Sequence, residues 1–92
     1  MTSVRIYTTE YCGFCVRAKE LLRSKGVAYE EIDVTGDDAL RGKLVDMTGG
    51  LRTVPQIWVG ETHVGGYTDL AKLNREGKLD LMLRGEGAAA SN

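Results

Sequence analysis

The residues best equipped for chemistry sit in one tetrapeptide, Cys12-Gly13-Phe14-Cys15, which holds both of the chain's two cysteines. Two thiols three positions apart can close a small redox ring or donate two thiolates to a metal. Two ligands do not fill a zinc tetrahedron, and the position of the pair favours redox chemistry. It follows an alternating apolar run over residues 4–8 and opens a helix-patterned segment over 13–25. A helix N-terminus offers free N–H groups and about half a positive charge. Thiols placed there titrate between roughly 3.5 and 7.5, against about 8.5 when free. Cys12, at the end of the loop, is the expected nucleophile. Cys15, about one turn inside the helix, is the expected resolving thiol that attacks the mixed disulfide.

Two other stretches carry positional meaning. In Thr53-Val54-Pro55 the proline lacks an N–H and restricts Val54 to extended geometry. Such a proline fits the entry to a strand. The residues alone predict a trans bond, because only about 5–6% of X–Pro bonds are cis. With a cis bond, Val54 would offer its N–H and C=O to an extended peptide, as an added strand does. In Gly65-Gly66-Tyr67-Thr68-Asp69 a glycine pair precedes a helix start. That pattern suits an anion site, and equally a tight turn with Thr68 or Asp69 as the cap. Arg41 is a candidate cation for a carboxylate. His63 has no cysteine or second histidine partner and reads as a surface residue of a short strand, not a metal ligand. Trp58 and Tyr7 read as packing residues.

These stretches need a scaffold. Residues 4–8 alternate as a strand, 27–34 read as a second, 56–59 as a third and 62–64 as a short fourth after a Gly60-Glu61 turn. A helix is expected over 13–25 with Cys15, Val16, Ala18, Leu21 and Leu22 on an approximate apolar face, closed by Gly26. A second is expected over 39–48 with Leu40, Leu44 and Met47 inward. A last helical region carries Leu70, Leu73, Leu79, Met82 and Leu83, interrupted by Gly77. The order β-α-β-α-β-β-α predicts an α/β fold. Its first βαβ unit is parallel with a right-handed crossover, and its mixed four-stranded sheet is flanked by helices.

Ninety-two residues allow one domain, expected over 1–84 with a flexible tail over 85–92. Hydrophobic content of 42% and charged content of 27% are ordinary for a soluble globular chain. A net charge of −1 removes the electrostatic case for nucleic acid or an anionic membrane as partner. No apolar run approaches the roughly 18 residues of a membrane span. Residues 1–5 lack the apolar core of a signal peptide. The expected home is a reducing compartment, the cytoplasm, where paired cysteines are more often reactive than structural.

Taken together, residues 3–83 resemble the glutaredoxins. The resemblance rests on residues 4–8 leading into Cys12-Gly13-Phe14-Cys15, and on Ala18-Lys19-Glu20-Leu21-Leu22. It rests further on Thr53-Val54-Pro55-Gln56-Ile57 and on Gly65-Gly66-Tyr67-Thr68-Asp69-Leu70. Four blocks in order are specific where one alone is not. The resemblance implies a thioredoxin-like fold, a cis Pro55 and a glutathione groove. Cys12 would hold the glutathione sulfur and Val54 would pair by backbone with the cysteinyl part. Thr68 and Asp69, following Gly66, would hold the γ-glutamyl end. Arg41 would face the glycine carboxylate, and Thr53 and Pro55 would line the groove.

Two departures from the family pattern matter. Thr9-Glu10-Tyr11 stands where relatives often carry Lys or Arg, so an added carboxylate opposes the Cys12 thiolate. Gly13-Phe14 replaces the Pro-Tyr of dithiol members and matches the monothiol branch, whose last position is Ser. The hybrid motif sets up two functions. One is a glutathione-dependent enzyme, expected as a monomer, that reduces protein disulfides and protein–glutathione mixed disulfides. The other is a homodimer in which Cys12 of each chain and two glutathiones ligate a [2Fe–2S] cluster, which needs four sulfurs. Thioredoxin-type reduction by a dedicated reductase would leave the groove residues without a purpose.

Overall fold

The alternation in Val4–Thr8 decides the layout, because side chains two apart on a strand face the same side. A computed structural model of the chain describes residues 2–85. It orders β1 (Val4–Thr8), α1 (Gly13–Ser24), β2 (Glu30–Asp33), α2 (Asp38–Met47), β3 (Gln56–Val59), β4 (Thr62–Gly65), α3 (Tyr67–Arg75) and α4 (Lys78–Leu83). The four strands form one sheet in the order β2-β1-β3-β4. β1 runs parallel to β2, with Arg5 opposite Glu30 and Thr8 opposite Asp33. It runs antiparallel to β3, with Ile6 opposite Ile57, and β3 pairs antiparallel with β4. This is the mixed sheet and the thioredoxin-like arrangement that the sequence predicts.

Strand alternation sends Val4, Ile6, Ile57 and Val59 to one face, where Ala18, Leu22, Leu70, Leu79 and Leu83 cover them. Tyr7 and Trp58 point to the other face and pack with Val34 and Leu44. Helices α1, α3 and α4 therefore close one side and α2 the other. Each fully buried aliphatic side chain here contributes about 1.5–3 kcal/mol.

Several boundaries differ from the sequence reading. The second strand spans Glu30–Asp33, not 27–34, because its ladder with β1 begins at Glu30. Val27 and Tyr29 pack against the core without joining the ladder. On α1 the inward positions are Cys15, Ala18 and Leu22, and Val16 is exposed, since one residue is a 100° turn about the axis. Met47, the last residue of α2, is likewise exposed. The last helical region is two helices. Gly77 sits between them at φ 75°, a left-handed backbone that side-chain-bearing residues avoid. Apart from Gly85, the tail expected over 85–92 lies outside the described residues. No helix among the described residues is long and apolar enough to cross a membrane.

Candidate active site

The chain leaves β1 at Thr8 and enters α1 at Gly13, and the N-cap of that helix is Cys12. At φ −111° and ψ 105° its backbone is extended, as an N-cap's usually is. The Cys15 N–H donates to Cys12 Sγ at 3.1 Å. A free helix N–H thus points at the sulfur that would carry charge after reduction. Cys12 and Cys15 are joined by a disulfide, with Cα atoms 5.2 Å apart. Their exposures differ in the direction their expected roles require. Cys12 is partly exposed and Cys15 is 1% exposed, so an incoming thiolate reaches Cys12 and expels Cys15 inward.

Two clefts flank the pair. One, of about 360 Å³, is walled by Thr53, Val54 and Pro55 on one side and by Gly66, Thr68 and Asp69 on the other, with Phe14, Leu51, Gln56 and Tyr67 completing it. The Val54 carbonyl oxygen lies 3.8 Å from Cys12 Sγ, which joins this groove to the redox pair. The Val54–Pro55 peptide is cis, as the resemblance implies and against the trans bond read from the residues alone. A local reading does not include the surroundings of Pro55, which is buried at the entry to β3.

At the far wall, α3 begins at Tyr67 with Gly66 as its N-cap. Neither Thr68 nor Asp69 is the cap. Asp69 sits two residues further in and reaches back, its Oδ2 accepting the Gly66 N–H at 3.0 Å. Gly65, at φ +112°, leaves no room for a Cβ against that carboxylate. Phe14 from α1 stacks on Tyr67 from α3 with ring centroids 6.2 Å apart, and the Arg17 guanidinium lies 5.9 Å from the Phe14 ring centroid. Arg41 does not line the groove. Its Nη2 donates to the carbonyl of Arg52 at 2.8 Å, which sets a cation against the residue preceding Thr53.

The second cleft, of about 450 Å³, contains both cysteines together with Glu10, Lys19, Glu31 and Asp33. Its one cation, Lys19, is held by Glu31 at 3.0 Å. Thr8 Oγ1 donates to the same Glu31 oxygen at 2.7 Å. The Thr8 hydroxyl first, then Lys19, hold the Glu31 carboxyl below its ordinary value. Thr35, through its hydroxyl and its backbone N–H, does the same for Asp33. The charge on this side is therefore mostly negative, and the favourable field at Cys12 comes from the helix N–H groups.

Sequence reasoning missed Gln56, Tyr11 and the Thr8–Glu31–Lys19 cluster. Gln56 is 1% exposed; its signal was a polar residue two positions before Trp58, on the same face of the strand. Tyr11, at φ 55° and fully exposed next to Cys12, has no sequence signal, because its conformation is set by the turn. His63 is not a plain surface residue. It is half-buried, stacks on Trp58 with centroids 4.5 Å apart and bonds to Gln56 at 2.7 Å.

A mixed sheet with a cysteine pair capping its first helix and a cis-proline loop against the outer sulfur defines a thiol–disulfide redox protein of thioredoxin-like fold. A family model described as glutaredoxin matches residues 4–64. A glutaredoxin of Pseudomonas aeruginosa is 54% identical over 83 residues, covering 90% of this chain and 98% of that one. Glutaredoxin 3 of Escherichia coli is 44% identical over 84 residues, covering 91% and 100%. The crystal structure of a buckwheat glutaredoxin–glutathione complex superposes with a TM-score of 0.84 at 36% identity, over 95% of this chain and 81% of that one. A solution structure of glutaredoxin from Brucella melitensis gives 0.80 at 46% identity, over 90% and 89%. The chain belongs to the glutaredoxin family, and the redox-active pair is Cys12 with Cys15.

Proposed function

We propose that this chain reduces protein disulfides and protein–glutathione mixed disulfides at the expense of glutathione, in the reducing cytoplasm. The observation that carries the reading is the groove whose near wall, Val54, touches Cys12 Sγ at 3.8 Å and whose far wall ends in the Asp69 carboxylate. An extended tripeptide with its sulfur on Cys12 would pair its cysteinyl backbone with Val54. Its γ-glutamyl end, which carries both an ammonium and a carboxylate, would meet Asp69 and the N–H groups around Thr68. Thr53, Pro55 and Gly66 give shape to the walls. The glycine carboxylate would draw Arg41 from the Arg52 carbonyl. The glutathione complex of the buckwheat relative supports the same ligand.

The steps follow from the two exposures. The Cys12 thiolate attacks the glutathione sulfur of a mixed disulfide, the substrate's thiolate leaves, and Cys12 carries glutathione. A second glutathione thiolate attacks that glutathione sulfur, forms oxidised glutathione and returns the Cys12 thiolate. With a protein disulfide, Cys12 attacks one sulfur and Cys15 then attacks Cys12, which releases the reduced protein and leaves the Cys12–Cys15 disulfide. Two glutathiones reopen it. The first bonds to Cys12 and expels the Cys15 thiolate; the second removes the first.

Separate assays of the two reactions test this. Cys12→Ser abolishes both. Cys15→Ser keeps removal of glutathione from a mixed disulfide and loses the two-thiol reduction; equal loss of both by Cys15→Ser would sink the division of labour. A second use of Cys12 draws on the same groove, as a ligand for a [2Fe–2S] cluster shared by two chains and two glutathiones. Gly13, where a proline would stiffen the turn, leaves the loop beside Cys12 freer to adjust and favours it. Anaerobic reconstitution with iron, sulfide and glutathione gives a brown dimer in that case, and a colourless monomer excludes it.

A further inference from the structure

Gln56 is a buried polar side chain that neither thiol chemistry nor packing requires. Its amide nitrogen donates to the Thr53 carbonyl at 2.9 Å and approaches Thr53 Oγ1 at 3.2 Å. Its amide oxygen lies 2.7 Å from His63 Nε2. A carbonyl can only accept, so the –NH₂ must face Thr53 and the oxygen must face the imidazole. His63 Nε2 therefore carries the hydrogen. The ring is held in turn by stacking on Trp58 at 4.5 Å, and Trp58 meets Tyr7 edge-on at 5.3 Å. Among the described residues no buried side-chain polar atom lacks a partner, so the chain of contacts is complete from the sheet to the groove wall.

We propose that Gln56 and His63 are positioning residues for glutathione: the pair straps the Thr53-Val54-Pro55 turn to the β3–β4 hairpin and sets where Val54 presents its backbone to the ligand. Without it, Thr53 is tied only through its neighbours, since its side chain and carbonyl both end on Gln56. The Val54 carbonyl, 3.8 Å from Cys12 Sγ, has no room to drift without losing register with a tripeptide anchored on that sulfur. This inference rests on the glutathione reading of the groove.

The test is steady-state kinetics with a glutathionylated peptide and reduced glutathione. Gln56→Met removes both ends of the strap at similar volume. Gln56→Glu keeps an acceptor for His63 but loses the donor to Thr53. His63→Phe keeps a ring on Trp58 and loses the N–H. Each raises KM for the glutathionylated peptide about five- to tenfold with kcat within about twofold, the size and pattern of lost positioning from one buried hydrogen bond. Gln56→Met with His63→Phe is no worse than Gln56→Met alone. Leu79→Ala, a core change on the opposite face of the sheet, lowers the melting temperature and leaves KM where it was, which separates positioning from plain destabilisation. An unchanged KM in a folded Gln56→Met protein overturns the proposal; if that variant does not fold, an unchanged KM in His63→Phe does so. A fall in kcat at constant KM overturns it as well. A wild-type protein whose rate does not depend on glutathione would instead sink the reading of the groove, whatever the variants do.

Discussion

Replacing Gly65 by alanine strikes the redox site from its far wall. Gly65 ends β4 at φ +112°, outside every region an L-residue adopts readily, and its Cβ would be driven into the Asp69 carboxylate. The backbone strain is about 1–3 kcal/mol. Displacing Asp69 also removes its bond to the Gly66 N–H, now 3.0 Å, and losing a hydrogen bond that satisfies the N-cap N–H costs about 1 kcal/mol. The sum, about 2–4 kcal/mol, is a large part of a stability on the order of 5–15 kcal/mol. For a domain of this size it lowers the melting temperature by roughly 10–30 °C. Asp69→Ala alone loses only that return bond to the N-cap, roughly 4–8 °C. In the double variant the carboxylate is gone, so Gly65→Ala has no Asp69–Gly66 bond left to break, and its cost falls by about 1 kcal/mol. Thermal denaturation of the four proteins checks this cycle. Refutation would be a Gly65→Ala protein that melts with wild type, or two costs that simply add. Asp69→Asn keeps an acceptor for Gly66 and drops the charge, so it should melt near wild type while weakening glutathione use.

Acid stability should report the carboxylates of the second cleft. Glu31 and Asp33 are held below their ordinary values in the folded state. Their contribution is full above the unfolded carboxylate values near 4 and is lost as pH falls through the lower folded ones. Glu31→Gln should therefore flatten the fall in denaturation midpoint between about pH 5 and pH 2, and an unaltered acid limb would contradict the assigned role of Thr8 and Lys19. Leu22→Ala opens a hole at a fully buried position of α1 and should cost about 2–5 kcal/mol; a loss under about 1 kcal/mol in chemical denaturation would mean that the helix is not seated on the sheet as described.

Local physics wrote much of this molecule into the chain. The two-residue period of residues 4–8 and 56–59, the helix-forming run after Cys15 and the stop at Gly26 are short-range effects. The order of elements, the parallel first unit and the mixed sheet were therefore legible. So was the redox pair, because a cysteine at a strand-to-helix junction meets helix N–H groups whatever surrounds it. The resemblance added the cis bond at Pro55. Val16 and Met47 were misplaced because an apolar residue beside a helix's inward stripe looks the same in sequence whether or not a neighbour covers it.

What the tertiary structure decided are the contacts between residues distant in sequence. Cys12 Sγ meets the Val54 carbonyl across 42 positions, and Thr8 meets Glu31 across 23. Arg41 reads as a free cation in sequence and is engaged by the Arg52 carbonyl in the fold. Gln56 reads as an ordinary strand residue and becomes a strap only when β4 brings His63 to its amide oxygen. The thiol pair was set by the sequence alone because the helix field acts over one turn. The groove beside it was not, because its two walls come from the loop before β3 and the start of α3, and only the closing of the sheet puts them on either side of one sulfur.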